Sequence, residues 1–393
     1  MQPVISVTSL LYLLGSIQAL FFASILLADA RRNAAKLMLA AFLLAFALVT
    51  FNDFLVETRY IFLLPHLAGL FLPFLFLLGP CLWFYIRLLT QPRFQLRARH
   101  AWHAVPSLAC LAAFFPFYVL DAPAKLGALK QSYAISPSQH LSPFELLAFL
   151  HTFGYLLVGV ILLRQHQRKV RAVYSNVEKR ELRWLSNLLI MSGLLWASWV
   201  FNVFDGQEWA EQIDALLCSL TIFLLSFFGV RQARVEVELE GLVLANQGAS
   251  PIAPRAGRKY ERSGLSEEQA RAYLVKLTTL MEEEKLYRNG ELTLAGLAEQ
   301  LTISPHYLSQ LLNDKKGQSF YDYVNAYRVE EVKAGLADPS KGHLSLLGLA
   351  LEAGFNSKTA FNTVFKKITG LSPSAYRAQH HPARPTKTAA PIG

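Results

Sequence analysis

Seven long apolar stretches in the first 230 residues constrain this chain most: 5–27, 37–56, 67–90, 101–120, 143–164, 184–204 and 213–230. A helix that crosses a bilayer needs about 20 mostly apolar residues. Its backbone N–H and C=O groups must all be satisfied within the segment. A buried core helix also reads as an apolar run, but seven such runs joined by short polar loops argue against a soluble core. The fourth, with Pro106 and Pro116, is the weakest. Composition agrees: 17% of residues are charged, against about 25% in an ordinary soluble domain. A mean hydropathy of +0.29 excludes a disordered chain.

The loops set an orientation. Sixteen Lys and Arg fall in one set of loops: Arg31, Arg32, Lys36, Arg87, Arg93, Arg97, Arg99, Arg164, Arg168, Lys169, Arg171, Lys179, Arg180, Arg183, Arg231 and Arg234. The alternate set holds three, Arg59, Lys125 and Lys130. Positive residues stay on the cytoplasmic side, so the N-terminus and the 121–141 loop are expected outside, and everything after residue 230 inside. The first stretch has no Lys or Arg before Arg31. It therefore lacks the basic start of a signal peptide and is expected to remain in the protein. Cys81, Cys110 and Cys218 lie in apolar runs and make no disulfide framework or metal spacing.

Beyond residue 230 the chain changes character. The net charge of +10 divides into +8 for residues 1–234 and +2 for 235–393, so the basic excess belongs to the apolar half. Residues 231–247 can support a short helix through Val235, Leu239, Leu242 and Leu244. Residues 248–264, rich in Gly, Ala and Pro, read as a flexible linker. Residues 379–393 read as a disordered tail, in which His380 and His381 make no metal site. Between linker and tail, apolar residues recur at helical spacing: Leu294, Leu297, Ala298 and Leu301; Leu346, Leu349, Ala350 and Ala353; Phe361, Val364, Phe365 and Ile368.

Two segments share a pattern. Ser304, Leu308 and Gly317 recur 53 residues later as Ser357, Phe361 and Gly370. Each serine suits an N-cap, and Pro305 suits the turn after its cap. Ala298 and Ala350 allow a close crossing of the preceding helix. A helix, a short turn and a capped helix make a helix-turn-helix, here twice, joined by a helical segment over about 320–336. The fold class expected is all-α: a seven-helix transmembrane bundle, residues 1–230, acting as a sensor; a juxtamembrane segment and linker, 231–264; a soluble all-α domain with two helix-turn-helix units, 265–378; and the tail.

On these residues the C-terminal part resembles the DNA-binding domain of AraC/XylS-type transcription regulators. The second unit carries the resemblance most specifically, through Ala350, Gly354, Phe355, Ser357, Phe361, Phe365, Lys366, Gly370, Pro373, Tyr376 and Arg377. Leu297, Ala298, Ser304, Tyr307, Leu308, Ser309, Gly317, Phe320, Asn325, Tyr327 and Arg328 fit in the first. A membrane domain in place of the family's usual soluble sensor resembles a membrane-bound branch. The resemblance implies a bacterial inner-membrane protein, a double-stranded promoter partner and contact with RNA polymerase.

A recognition helix lays its first residues on base edges in the major groove. Leu308, Leu311 and Leu312 are expected in the core, which turns His306, Ser309 and Gln310 outward. In the second unit Phe361, Val364 and Phe365 point inward, so Lys358, Thr359, Asn362 and Thr363 are exposed. Gln310 and Asn362 suit adenine, and Lys358 suits guanine or a phosphate. The family often has Arg where Thr363 stands, which weakens that assignment. Lys315, Lys316, Lys366 and Lys367 flank the helices and suit phosphates. Residues 341–377 carry +4 and residues 265–340 carry −4. Phosphate neutralisation supplies most non-specific affinity, so one copy should bind weakly and pairing of two copies should matter.

A competing class is an intramembrane enzyme, with Asp53, His66, His103, Glu145 and His151 as the ionisable residues available in or near the spans. The chain has no H-E-x-x-H or G-x-S-x-G motif. The expectation is a regulator with no catalytic residues, no cofactor and no metal, its partners being DNA, the lipid bilayer, an unknown signal ligand and a second copy. A plain anchor needs one span, not seven.

Overall fold

The computed structural model describes residues 3–29, 33–91, 93–134, 143–178, 180–205, 208–231 and 267–380. The chain divides into two compact units, residues 1–166 with 182–236, and residues 167–181 with 237–393. Among the described residues the only β-type pairing is one isolated antiparallel bridge, Tyr174 with Thr293. The fold is all-α, as expected.

Six segments are long and apolar enough to cross a membrane: Val7–Ala28, Ala34–Glu57, Leu72–Thr90, Ala98–Tyr118, Phe144–Val173 and Trp209–Arg231, all in the first unit but for residues 167–173. They lie on helices α1 (Val7–Asp29), α2 (Ala34–Glu57), α3 (Leu72–Thr90), α4 (Val105–Tyr118), α6 (Pro143–Val173) and α8 (Glu208–Arg231). The stretch expected at 184–204 forms α7 (Arg183–Asp205), of similar length, with Ser186, Asn187, Ser192 and Ser198 among its apolar residues. It is not one of the six. Pro106 stands in the first turn of α4, after a 3-10 turn over Ala98–Ala104. Its missing N–H costs no hydrogen bond there.

Helix α2 packs between α1 and α3, while α8 packs on α1 and α7, and α4 on α3. Small residues and interhelical hydrogen bonds let these apolar helices approach closely. Ala19, Ala23, Ala40, Ala45 and Ala47 are buried. Ser16 Oγ donates to Ala47 O at 3.0 Å and Ser219 Oγ to Leu11 O at 2.7 Å. The outward faces stay apolar, with Leu10, Leu14, Ile17 and Phe21 on α1 and Leu147, Leu150, Leu157 and Ile161 on α6 exposed.

Two features were not legible as elements. Residues 121–141 were expected as a loop, but they contain helix α5 (Ala122–Ala134). Its cap is Asp121, whose Oδ1 accepts from Ala124 N at 2.9 Å. The apolar run ending at 164 continues as helix to Val173. The added residues, rich in Gln, Arg and Lys, are good helix formers. The juxtamembrane and linker segment lies, apart from Arg231, outside the described residues, as does the tail beyond His380.

Of the ionisable candidates in or near the spans, His103 and His151 both meet Tyr155. Asp53 is on α2 and Glu145 in the first turn of α6. His66 Nδ1 lies 3.2 Å from Lys125 Nζ. His103 shares a hydrogen bond with Tyr155 Oη, and His151 meets Phe76 and Tyr155 edge to face. Among the described residues no group of three or more His, Cys, Asp or Glu is arranged to hold a metal.

Candidate nucleic-acid interface

The second unit holds α9 (Glu267–Glu282), α10 (Leu294–Gln300), α11 (Pro305–Leu311), α12 (Phe320–Ala337), α13 (Leu346–Glu352), α14 (Lys358–Thr369) and α15 (Pro373–His380). Leu294, Leu297, Ala298, Leu301, Leu308 and Leu312 pack with Leu277, Leu280 and Met281 of α9 and with Phe320, Tyr323 and Val324 of α12. The second apolar set is Leu349, Ala350, Ala353, Phe355, Phe361, Val364 and Phe365, all buried. The Phe361 ring lies against both Phe355 and Phe365.

The two helix-turn-helix units, α10–α11 and α13–α14, share the same hydrogen bonds at their turns. Ile303 N donates to Ala298 O at 3.0 Å, and Phe355 N to Ala350 O at 2.9 Å. A left-handed residue makes each turn, Thr302 at φ 57° and Gly354 at φ 96°. Ser304 Oγ then accepts from Tyr307 N at 3.3 Å, and Ser357 Oγ from Ala360 N at 3.1 Å. The helices before the turns match at one offset and the serines at another, because Asn356 adds a residue to the second turn. Both second helices end at a left-handed glycine, Gly317 after a π-turn over Leu312–Lys316 and Gly370 after α14.

The expected recognition residues divide by exposure. Lys358, Thr359, Asn362, Thr363, Lys366 and Lys367 are exposed along α14, whereas His306, Ser309 and Gln310 on α11 are half-buried. Leu308, Leu311 and Leu312 point inward, as do Phe361, Val364 and Phe365. Several polar groups already have partners. Thr363 Oγ1 donates back to Thr359 O at 2.9 Å, a local bond that competes with an outside acceptor. Asn313 Nδ2 donates to Ser309 O at 2.8 Å. Lys367 Nζ pairs with Asp322 Oδ1 at 2.7 Å, and Lys315 Nζ with Glu267 Oε1 at 2.7 Å. Burial alone would raise the Asp322 carboxyl, but Lys367 and Ser319 hold it below the usual carboxylate range. Lys316 and Lys366 remain exposed at the helix ends.

At the centre of the unit is Arg328 on α12, 1% exposed. Its Nε donates to Tyr287 O at 2.8 Å and its Nη2 to Asn289 O at 2.9 Å. Its Nη1 reaches Ser175 O at 3.3 Å and Asn325 Oδ1 at 3.4 Å. Burial pulls the guanidinium down to about 10, so it stays charged at neutral pH. The second unit thus contains residues 167–181, which in sequence lie inside the apolar half. Nothing in composition or spacing signals this, because it rests on backbone groups paired across some 150 residues.

Residues 297–379 match a helix-turn-helix domain family. Over 95 residues the chain is 33% identical to the melibiose operon regulatory protein of Escherichia coli, covering 24% of this chain and 30% of that protein. It is 30% identical over 95 residues to the probable transcription factor PqrA of Proteus vulgaris, covering 24% of this chain and 75% of that one. An HTH-type transcriptional regulator of Bacillus subtilis, YtdP, is 34% identical over 90 residues, 23% of this chain and 11% of its own length. The chain therefore spans about a tenth of YtdP, about a third of the melibiose operon regulatory protein and three quarters of PqrA. No solved structure matches.

Proposed function

The chain belongs to the AraC-type helix-turn-helix regulators, and from that premise we propose that it is a membrane-held transcription regulator whose spans sense a signal and whose two recognition helices read a bipartite promoter site. The observation that carries this reading is the joining, in one chain, of six membrane-length apolar helices to two capped helix-turn-helix units with polar outer faces. Signal ligand, lipid, RNA polymerase and a second copy are the partners it implies.

The two recognition helices enter successive major-groove faces about 34 Å apart. Lys358→Ala and Asn362→Ala change preference in one half-site, His306→Ala and Gln310→Ala in the other, each at a cost of about 1–3 kcal/mol where a bidentate contact is lost. Thr363→Ala has less effect, since its hydroxyl is turned onto its own helix. Footprinting of promoter DNA with the full-length protein checks this. A single protected half, or uniform weakening on every sequence, counts against it.

On this reading the loop charge puts α5 outside and the end of α6 inside. With an impermeant thiol reagent on whole cells, Lys130→Cys is labelled and Gln165→Cys is not. The reverse pattern overturns the orientation.

A further inference from the structure

We propose that residues 171–181 form a strap that holds the helix-turn-helix unit in a DNA-free state by seating a carboxylate where DNA phosphate must come. The inference rests on the reading of α14 as a DNA-recognition helix and adds how that helix is kept idle.

The strap is anchored deeply. Val173, Tyr174, Ser175 and Val177 are buried. Ser175 N and Oγ both donate to Leu292 O, at 3.3 and 2.7 Å. Ser175 O accepts from Asn325 Nδ2 at 3.2 Å and from Arg328 Nη1 at 3.3 Å. The Arg171–Glu181 pair closes the segment on itself, and the Arg180 guanidinium lies 4.4 Å from the Tyr174 ring centre.

Its tip reaches the reading head. Glu178 Oε2 accepts a hydrogen bond from Ser357 Oγ, the side chain that caps α14. The start of a helix carries partial positive charge and N–H groups without intrahelical partners, so it attracts anions. The first turn of a recognition helix is also the part brought to the groove and its flanking phosphates. Glu178 therefore occupies an anion position at Ser357, which stands one residue before Lys358 and two before Thr359. A phosphate arriving there meets a like charge.

Release is chemically feasible. When the strap leaves, Arg328 keeps Tyr287 O, Asn289 O and Asn325 Oδ1, and water replaces Ser175. In sequence the strap joins α6, which ends at Val173, to α7, which starts at Arg183. A change in the spans thus has a covalent route to the recognition helix that does not pass through residues 248–264.

The test uses the full-length protein in lipid nanodiscs and a fluorescent duplex of random sequence at low salt. Glu178→Gln is expected to bind the duplex about two- to fivefold tighter than wild type, and Glu178→Lys tighter still. In wild type, amides of residues 174–178 exchange slowly without DNA and faster with it. Equal affinity of wild type and Glu178→Gln, or amides that stay protected in the DNA complex, overturns the strap while leaving the DNA-binding reading intact. Absence of binding by wild type and both variants overturns that reading and the strap with it.

Discussion

Gly354→Ala is expected to unfold the second helix-turn-helix and abolish sequence-specific DNA binding. Gly354 holds φ at 96°, and a Cβ there would stand 2.5 Å from Tyr287 O and 2.8 Å from Arg288 O. Both are backbone atoms, so no side chain can swing away. The left-handed conformation costs an L-residue about 1–2 kcal/mol, and forcing atoms into a filled space adds about 1–3 kcal/mol. Together these are a large share of the stability of an ordinary domain. Gly370→Ala is the control: φ is 78°, but nothing lies within 4 Å of the added carbon, so only the backbone cost applies. Hydrogen exchange along α13 and α14 in the full-length protein separates the two. Equal protection in both variants would show that the turn relaxes and that the close approach to residues 287–288 is not needed.

Arg328→Met carries the other large effect. The substitution keeps much of the side-chain volume but withdraws the guanidinium from Tyr287 O, Asn289 O and Ser175 O; Asn289 O keeps Leu292 N and Ser175 O keeps Asn325 Nδ2, while Tyr287 O loses its donor. A buried acceptor left without a donor costs about 1–3 kcal/mol. A total loss of about 2–4 kcal/mol is expected, from the stranded Tyr287 carbonyl and the weakened bonding of the other two. Arg328→Lys does not restore the domain, because an ammonium lacks the planar fork that reaches several carbonyls at once. Protection of α12 amides and of residues 286–292 reads the effect. Rescue by lysine would mean that charge, and not the geometry of the fork, holds the centre of the unit.

Much of the architecture was legible because its signals are local. Length and apolar content mark helices that suit lipid, and six of the seven stretches meet that test in the structure. Ser304 and Ser357 announce their helices through a side chain three residues from the N–H they cap. The alternation of Leu308, Leu311 and Leu312 with His306, Ser309 and Gln310 assigns inner and outer faces from the period of the helix alone. Other features escaped for equally physical reasons. The left-handed turn at Thr302 has no glycine to mark it. The pairing of Lys367 with Asp322 joins residues 45 apart, and that of Lys315 with Glu267 joins residues 48 apart. Their exposed charges read from sequence as available to phosphate.

Most helices, their inward faces, the repeat of the helix-turn-helix and the polar residues on its recognition helices could be read from residue order. All of these follow from periodicity, capping and composition over a few turns. Which of those polar groups already have partners, that Arg328 is the buried centre of the second unit, and that residues 167–181 belong to it came out only in the packed chain. Those outcomes depend on backbone carbonyls that any residue could supply. A hydrogen bond to such a carbonyl leaves no trace in residue type or spacing, and it becomes visible only when the chain brings Ser175, Tyr287 and Asn289 around one guanidinium.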